Sequence, residues 1–100
     1  MSDAAQNTAQ TAPKARVLVC DDSKIVRLSA KKMLGEHCDL VLAEDGQQGW
    51  ELIEQDPSFQ VVFTDLGMPN LDGRALIERV RKSEDKNISS IPMIVITGNS

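Results

Sequence analysis

At 100 residues, with 41% hydrophobic and 26% charged side chains, six glycines and four prolines, the chain has room for one small globular domain. Collagen-like, fibrous and wholly disordered readings are excluded. Eleven lysines and arginines stand against fifteen aspartates and glutamates, a net charge of -4. There is no basic stripe for a phosphate backbone, and direct nucleic-acid binding is not expected.

Residues 1–14 are rich in Ala, Gln, Thr and Ser and read as a disordered leader, with the folded domain spanning 15–100. Met1–Pro13 lacks the basic start and apolar centre of a secretory signal. No apolar run approaches the roughly 20 residues that cross a bilayer. The expected location is therefore the cytoplasm, away from membranes. Arg16–Cys20 (RVLVC) is a short, β-branched apolar run, as expected of a strand covered on both faces of a parallel sheet. Val26, Ala30, Met33 and Leu34 then recur at helical spacing, with Asp22 or Ser23 placed to cap the helix and Met33 expected in the core. His37 falls at the end of this helix, where the dipole favours it. Leu40–Ala43 is the second strand, and Asp45-Gly46 a turn into a helix carrying Gly49, Leu52 and Ile53 inward. Trp50 on that helix reads as a partly exposed packing residue. Gln60–Thr64 is the third strand. After an Asp72 cap, Gly73, Leu76, Ile77 and Val80 mark the apolar face of a third helix, with Arg74, Arg79 and Arg81 on its solvated side. Ser83–Ser90 reads as a polar connection to the last strand, Met93–Thr97, in which Met93 is core. Cys20 and Cys38 have no CxxC or CxH neighbour, so reduced thiols are expected rather than a disulfide or a metal site.

The order β-α-β-α-β-α-β predicts an α/β fold with a parallel sheet and right-handed crossovers. In such sheets ligands bind beyond the carboxyl ends of the strands, where the winding reverses. Asp21 and Asp22 follow the first strand, Glu44 and Asp45 the second, Asp65 the third, and Thr97-Gly98 closes the fourth. Any one acid after a strand is ordinarily a helix cap or a turn residue, and Glu44, Asp45 and Asp72 are read that way. Asp21, Asp22 and Asp65 differ, because neighbouring first and third strands would deliver all three to one crevice. Clustered carboxylates must take up protons or bind a cation. An oxygen-only set in an open crevice suits Mg²⁺.

The segment Asp65-Leu66-Gly67-Met68-Pro69-Asn70-Leu71-Asp72-Gly73, taken with Cys20-Asp21-Asp22-Ser23 and Val95-Ile96-Thr97-Gly98, resembles the receiver domain of bacterial two-component response regulators. The family's D-x-x-M-P-x-x-D-G signature is matched at every marked position. The resemblance covers nearly all of residues 15–100 and implies a doubly wound, flavodoxin-like fold. It implies Asp65 as phosphoacceptor, taking a phosphoryl group from a sensor histidine kinase, a phosphotransfer protein or a small donor such as acetyl phosphate, and passing the signal to an output domain or protein. It further implies Mg²⁺ held by Asp22 directly, by Asp21 mainly through water, by Asp65 and by the backbone carbonyl of Gly67, with Thr97 as the switch hydroxyl. No enzyme activity is implied beyond the domain's own phosphorylation and dephosphorylation.

The match has departures. The family's pocket also holds a Lys at the end of a fifth strand, and this chain stops at Ser100. No basic residue is expected to replace that Lys, and the full gene product is expected to continue. The fourth strand is then expected as an apolar edge open to intermolecular pairing. Gly67 and Asn99 flank the site as candidates for tuning the lifetime of the acyl phosphate. The alternative is a pseudo-receiver, an unphosphorylated protein-protein interaction module. A D-x-D phosphatase is disfavoured by Gly67, and a flavin-binding protein by the repulsion of Asp21-Asp22 toward a phosphate.

Overall fold

The computed structural model describes residues 14–96. Four strands, β1 (Arg16–Cys20), β2 (Asp39–Ala43), β3 (Val61–Thr64) and β4 (Met93–Val95), form one sheet in the order β2-β1-β3-β4, with every pair parallel. The helices between them are α1 (Lys24–Leu34), α2 (Gly46–Gln55), α3 (Gly73–Arg81) and the short α4 (Lys86–Ser89). This is the parallel α/β architecture expected from the alternation of strand and helix, and the flavodoxin-like form that the resemblance implies. The polar stretch expected as a plain connection over 83–90 contains α4, capped by Asp85, whose side chain accepts from the Asn87 amide at 2.9 Å. Ile88 alone of that turn is buried, so a single apolar residue among polar ones hid the helix from periodicity.

Alternate residues of β1 face opposite sides of the sheet. Leu18 and Cys20 join Ala43, Ile53, Val62, Leu76, Val80, Ile88 and Ile91 in the core beneath α2, α3 and α4. Val17 and Val19 join Ala30 and Cys38 beneath α1. One helix on one face and three on the other follow from right-handed crossovers that run first from β1 to β2 and then across to β3 and β4. The winding therefore reverses between β1 and β3.

Ser23, Asp45 and Asp72 cap α1, α2 and α3, accepting from the amides of Val26, Gln48 and Ala75 respectively. Gly49 lets α2 lie close on β1, since a Cβ there would stand 2.6 Å from the Cys20 sulfur. Met33 departs from expectation: it is 68% exposed. It lies on the rim of an apolar concavity of about 270 Å³ between α1 and the sheet, with Ile25, Val26, Leu34, Phe63 and Ile96. Helical spacing put Met33 on the right side of α1, but the described residues do not cover that side. Met93 packs against the core and both cysteines are buried free thiols, as expected. No helix among the described residues is long and apolar enough to cross a membrane. The expected leader lies outside the described residues except for Lys14, which is exposed and whose Nζ donates to the Glu36 carbonyl at 3.2 Å.

Candidate functional site

The reversal of winding puts the carboxyl ends of β1 and β3 side by side. Val17 to Cys20 pair with Val61 to Thr64 residue by residue, and the Asp65 amide donates to the Cys20 carbonyl at 3.0 Å just past the paired segment. Asp21, Asp22 and Asp65 consequently meet, with one carboxylate oxygen of each within 4.8 Å of the others. Asp21 is only 3% exposed, Asp22 is exposed and Asp65 is half-buried. Glu44 and Asp45, at the end of β2, lie outside this cluster. Thr97, Gly98 and Asn99 fall outside the described residues.

Asp21 and Asp65 are held by main chain. The Asp21 amide donates to the Ala43 carbonyl at 3.1 Å, and Asp21 Oδ1 accepts from the Ser23 amide at 2.8 Å. Asp65 Oδ1 accepts from the Leu66 amide at 2.8 Å, and the buried Thr64 hydroxyl donates to the Asp65 carbonyl at 2.9 Å. Burial raises the Asp21 carboxyl above the ordinary range, and the charges of Asp65 and Asp22 push the same way. The Ser23 amide and Arg27 oppose them. An oxygen-only cluster whose buried member is kept from ionising freely by burial and by its acidic neighbours fits a hard divalent cation, which would relieve that repulsion.

Two side chains at the site were not singled out from the sequence. Thr64 was read only as a strand residue. Arg27 projects from α1 and its Nη1 donates to the Asp21 carbonyl at 2.8 Å. A cation does reach the acidic cluster, though at the Asp21 main chain and from the first strand's side. Its signal in the sequence was an arginine one turn into the helix that follows the acidic pair. Gly67, two residues beyond Asp65, is exposed and a Cβ there would meet nothing within 4 Å.

The loop from Asp65 to α3 is pinned at its base. The Gly73 amide donates to the Leu66 carbonyl at 3.0 Å, and a Cβ on Gly73 would collide with the Asp65 carbonyl oxygen. The glycine of the D-x-x-M-P-x-x-D-G segment is thus required by close approach. Met68 is buried in the core beneath the loop. With this geometry in view, the comparison with known proteins is decisive: the response regulator receiver domain family matches residues 17–100. The chain belongs to that family. This receiver domain is 33% identical over 84 residues to a chemotaxis protein CheY homolog of Campylobacter jejuni, covering 82% of this chain and 63% of that protein. It is 36% identical over 89 residues to the peroxide stress-activated histidine kinase mak3 of Schizosaccharomyces pombe, covering 84% of this chain and 4% of that protein. The crystal structure of a response regulator receiver protein from Pseudomonas putida superposes with a TM-score of 0.77 at 26% identity, covering 90% of this chain and 73% of that one. The receiver domain thus spans under two thirds of the length of the CheY homolog it matches.

Proposed function

We propose that this receiver domain takes a phosphoryl group onto Asp65, from a sensor histidine kinase or a phosphotransfer protein in the cytoplasm, and passes the change to an output domain or protein. The observation that carries the reading is the convergence of Asp21, Asp22 and Asp65 at the switch point of the sheet. Membership of the family supports it, as does the likeness to a chemotaxis protein and to a segment of a histidine kinase. Asp21, Asp22, Asp65 and the Gly67 carbonyl would hold Mg²⁺, which when bound supplies positive charge for the oxygens of the incoming phosphoryl group. The Leu66 amide orients the Asp65 carboxylate by its Oδ1, and the Thr64 hydroxyl fixes its main chain. An Asp65 oxygen bonds to phosphorus as the bond from phosphorus to the donor histidine nitrogen breaks, the electron pair leaving with nitrogen. Little covalent chemistry is asked of the protein beyond placing this nucleophile. Thr97 is assigned the switch hydroxyl that turns toward the phosphoryl group. Residues 15–100 form the receiver, with 1–14 as a leader outside it.

The test is incubation of the protein with Mg²⁺ and acetyl phosphate, read by intact mass. One added phosphoryl is expected, absent without Mg²⁺ and absent in Asp65→Asn. A phosphoryl that persists in Asp65→Asn overturns the assignment. No uptake at all, with the fold intact, gives the pseudo-receiver reading instead.

A further inference from the structure

The loop that carries Asp65 turns through a left-handed residue that is not glycine. Asn70 has φ 68, the one non-glycine residue with positive φ among those described. The Leu71 amide closes on the Pro69 carbonyl across it at 2.7 Å. A γ-turn around a positive φ is a rare and unfavourable conformation, which persists only when its surroundings enforce it. The enforcement comes from the β2-α2 junction, 25 residues earlier in the chain. Asp45 Oδ2 accepts from Asn70 Nδ2 at 2.6 Å, and the Gly46 amide donates to the Leu71 carbonyl at 3.0 Å. A Cβ on Gly46 would overlap that same carbonyl, so the junction is built to sit against the turn. The two oxygens of Asp45 divide the work: Oδ1 caps α2 through the Gln48 amide at 2.8 Å, and Oδ2 holds Asn70.

We infer that Asp45 and Asn70 form a clamp that positions the 66–72 loop, and with it the Gly67 carbonyl, for cation binding and phosphoryl transfer at Asp65. This rests on the reading of the acidic cluster as a Mg²⁺ site. The loop is fastened at its base by Gly73 and Leu66 and at its tip by Asp45, with Gly67 between the two fastenings. Neither Asp45 nor Asn70 belongs to the acidic cluster, so both are positioning residues that act through the backbone of the loop. The strain at Asn70 gives the clamp its sense: once released, the turn has a lower-energy conformation to relax into, and the carbonyls between the fastenings move with it.

Two substitutions and a control separate positioning from folding. Asp45→Ser keeps an acceptor for the Gln48 amide, since serine and aspartate cap helices comparably, and removes the acceptor for Asn70. Asn70→Ala removes the donor and leaves a Cβ on the turn at φ 68, so the strain stays while the fastening goes. Asn70→Gly removes donor and strain together and, as the control, should keep its Mg²⁺ affinity. Asp45→Ser and Asn70→Ala are each expected to bind Mg²⁺ about tenfold more weakly by titration calorimetry. Each should take phosphoryl from acetyl phosphate more slowly at low Mg²⁺, with the rate recovering at saturating Mg²⁺. Without metal, amide hydrogen exchange at Leu71 and Gly73 should quicken in both. Unchanged Mg²⁺ affinity in Asp45→Ser and Asn70→Ala overturns the inference, as does a loss in Asn70→Gly as large as that in Asn70→Ala. Failure of the underlying reading looks different: the unsubstituted chain would bind no Mg²⁺, and the positioning role would fall with it.

Discussion

Asp45 and Cys20 show how a single side chain acquires properties its sequence neighbours do not give it. The Gln48 amide, and then Asn70, hold the Asp45 carboxyl below its ordinary value. A carboxylate with a lowered folded value adds stability that is fully present above its unfolded value, near pH 4, and that is lost as pH falls through the folded value. Asp45→Ala should cost about 1 kcal/mol at neutral pH and flatten the fall in stability between pH 5 and 3. Urea unfolding across that range checks both, and an acid limb as steep as the unsubstituted chain's would contradict the assignment. Burial, reinforced by Asp45 and Asp21, pushes the Cys20 thiol up to about 12. Because the thiolate is the reactive form, Cys20 should stay unlabelled by iodoacetamide at pH 8 in the native chain and label in urea, as read by peptide mass. The Asp45 cap was legible from its place before Gly46. Its bond to Asn70 was not, because no local pattern links residues that meet only across two strands.

The junctions between strands and helices depend on glycines whose reason lies in packing. Gly46→Ala and Gly73→Ala each force a Cβ onto a main-chain carbonyl oxygen, and each should cost about 1–3 kcal/mol. Gly67→Ala meets open space at an ordinary φ and should leave stability level or raise it by about 0.4–1 kcal/mol. Denaturant midpoints of the three variants compare them directly. A loss in Gly67→Ala equal to the others would show that the loop is packed more tightly than its geometry allows. The third helix illustrates the same split between pattern and packing. Its apolar face was readable, and Arg74, Arg79 and Arg81 are exposed as expected. Yet Arg81 Nη1 donates to the carbonyls of Ser89 and Ile91 at 2.8 Å each, tying α4 to α3, and Arg79 lies 5.7 Å from the centre of the Trp50 ring. At the opposite end of β1, Arg16 stacks 4.4 Å from the Phe59 ring and reaches Asp39 and Asp56 at 3.5 and 3.6 Å. Solvated charge on a helix and charge engaged with main chain or rings look alike in a sequence.

The acidic crevice and the sheet edge belong to the molecule as a whole. Asp21, raised chiefly by burial, has the opposite sign to Asp45. It costs stability where it is ionised, and that cost is relieved as pH falls through its raised value. Asp21→Asn should therefore stabilise the metal-free chain at pH 7 while weakening its stabilisation by Mg²⁺. Melting temperature with Mg²⁺ and with EDTA tests both halves, since a ligand bound only by the native state raises it. A rise with Mg²⁺ as large in Asp21→Asn as in the unsubstituted chain would remove Asp21 from the site. Among the described residues β4 is an outer strand, with Ile94 45% and Val95 40% exposed. Such an edge is a template for pairing, so light scattering should show association that grows with concentration and is reduced by Ile94→Lys. A monomer at every concentration would count against pairing.

Period and composition carried most of the fold: four apolar runs, three amphipathic stretches and the acids beyond the strands were all readable, because burial on one face or two imposes a local repeat. The identity of the three clustering acids was readable as well, since a parallel sheet must bring its first and third strand ends together if they are neighbours. The strand order itself, the short α4, the exposure of Met33, the Arg27 contact and the clamp on Asn70 came only with the folded chain. Each depends on which segments lie against one another in space, and a contact between residues far apart in sequence leaves no periodic trace. The same acid, placed after a strand, is a helix cap at Asp45 and part of the acidic cluster at Asp65. What separates them is the company the fold supplies.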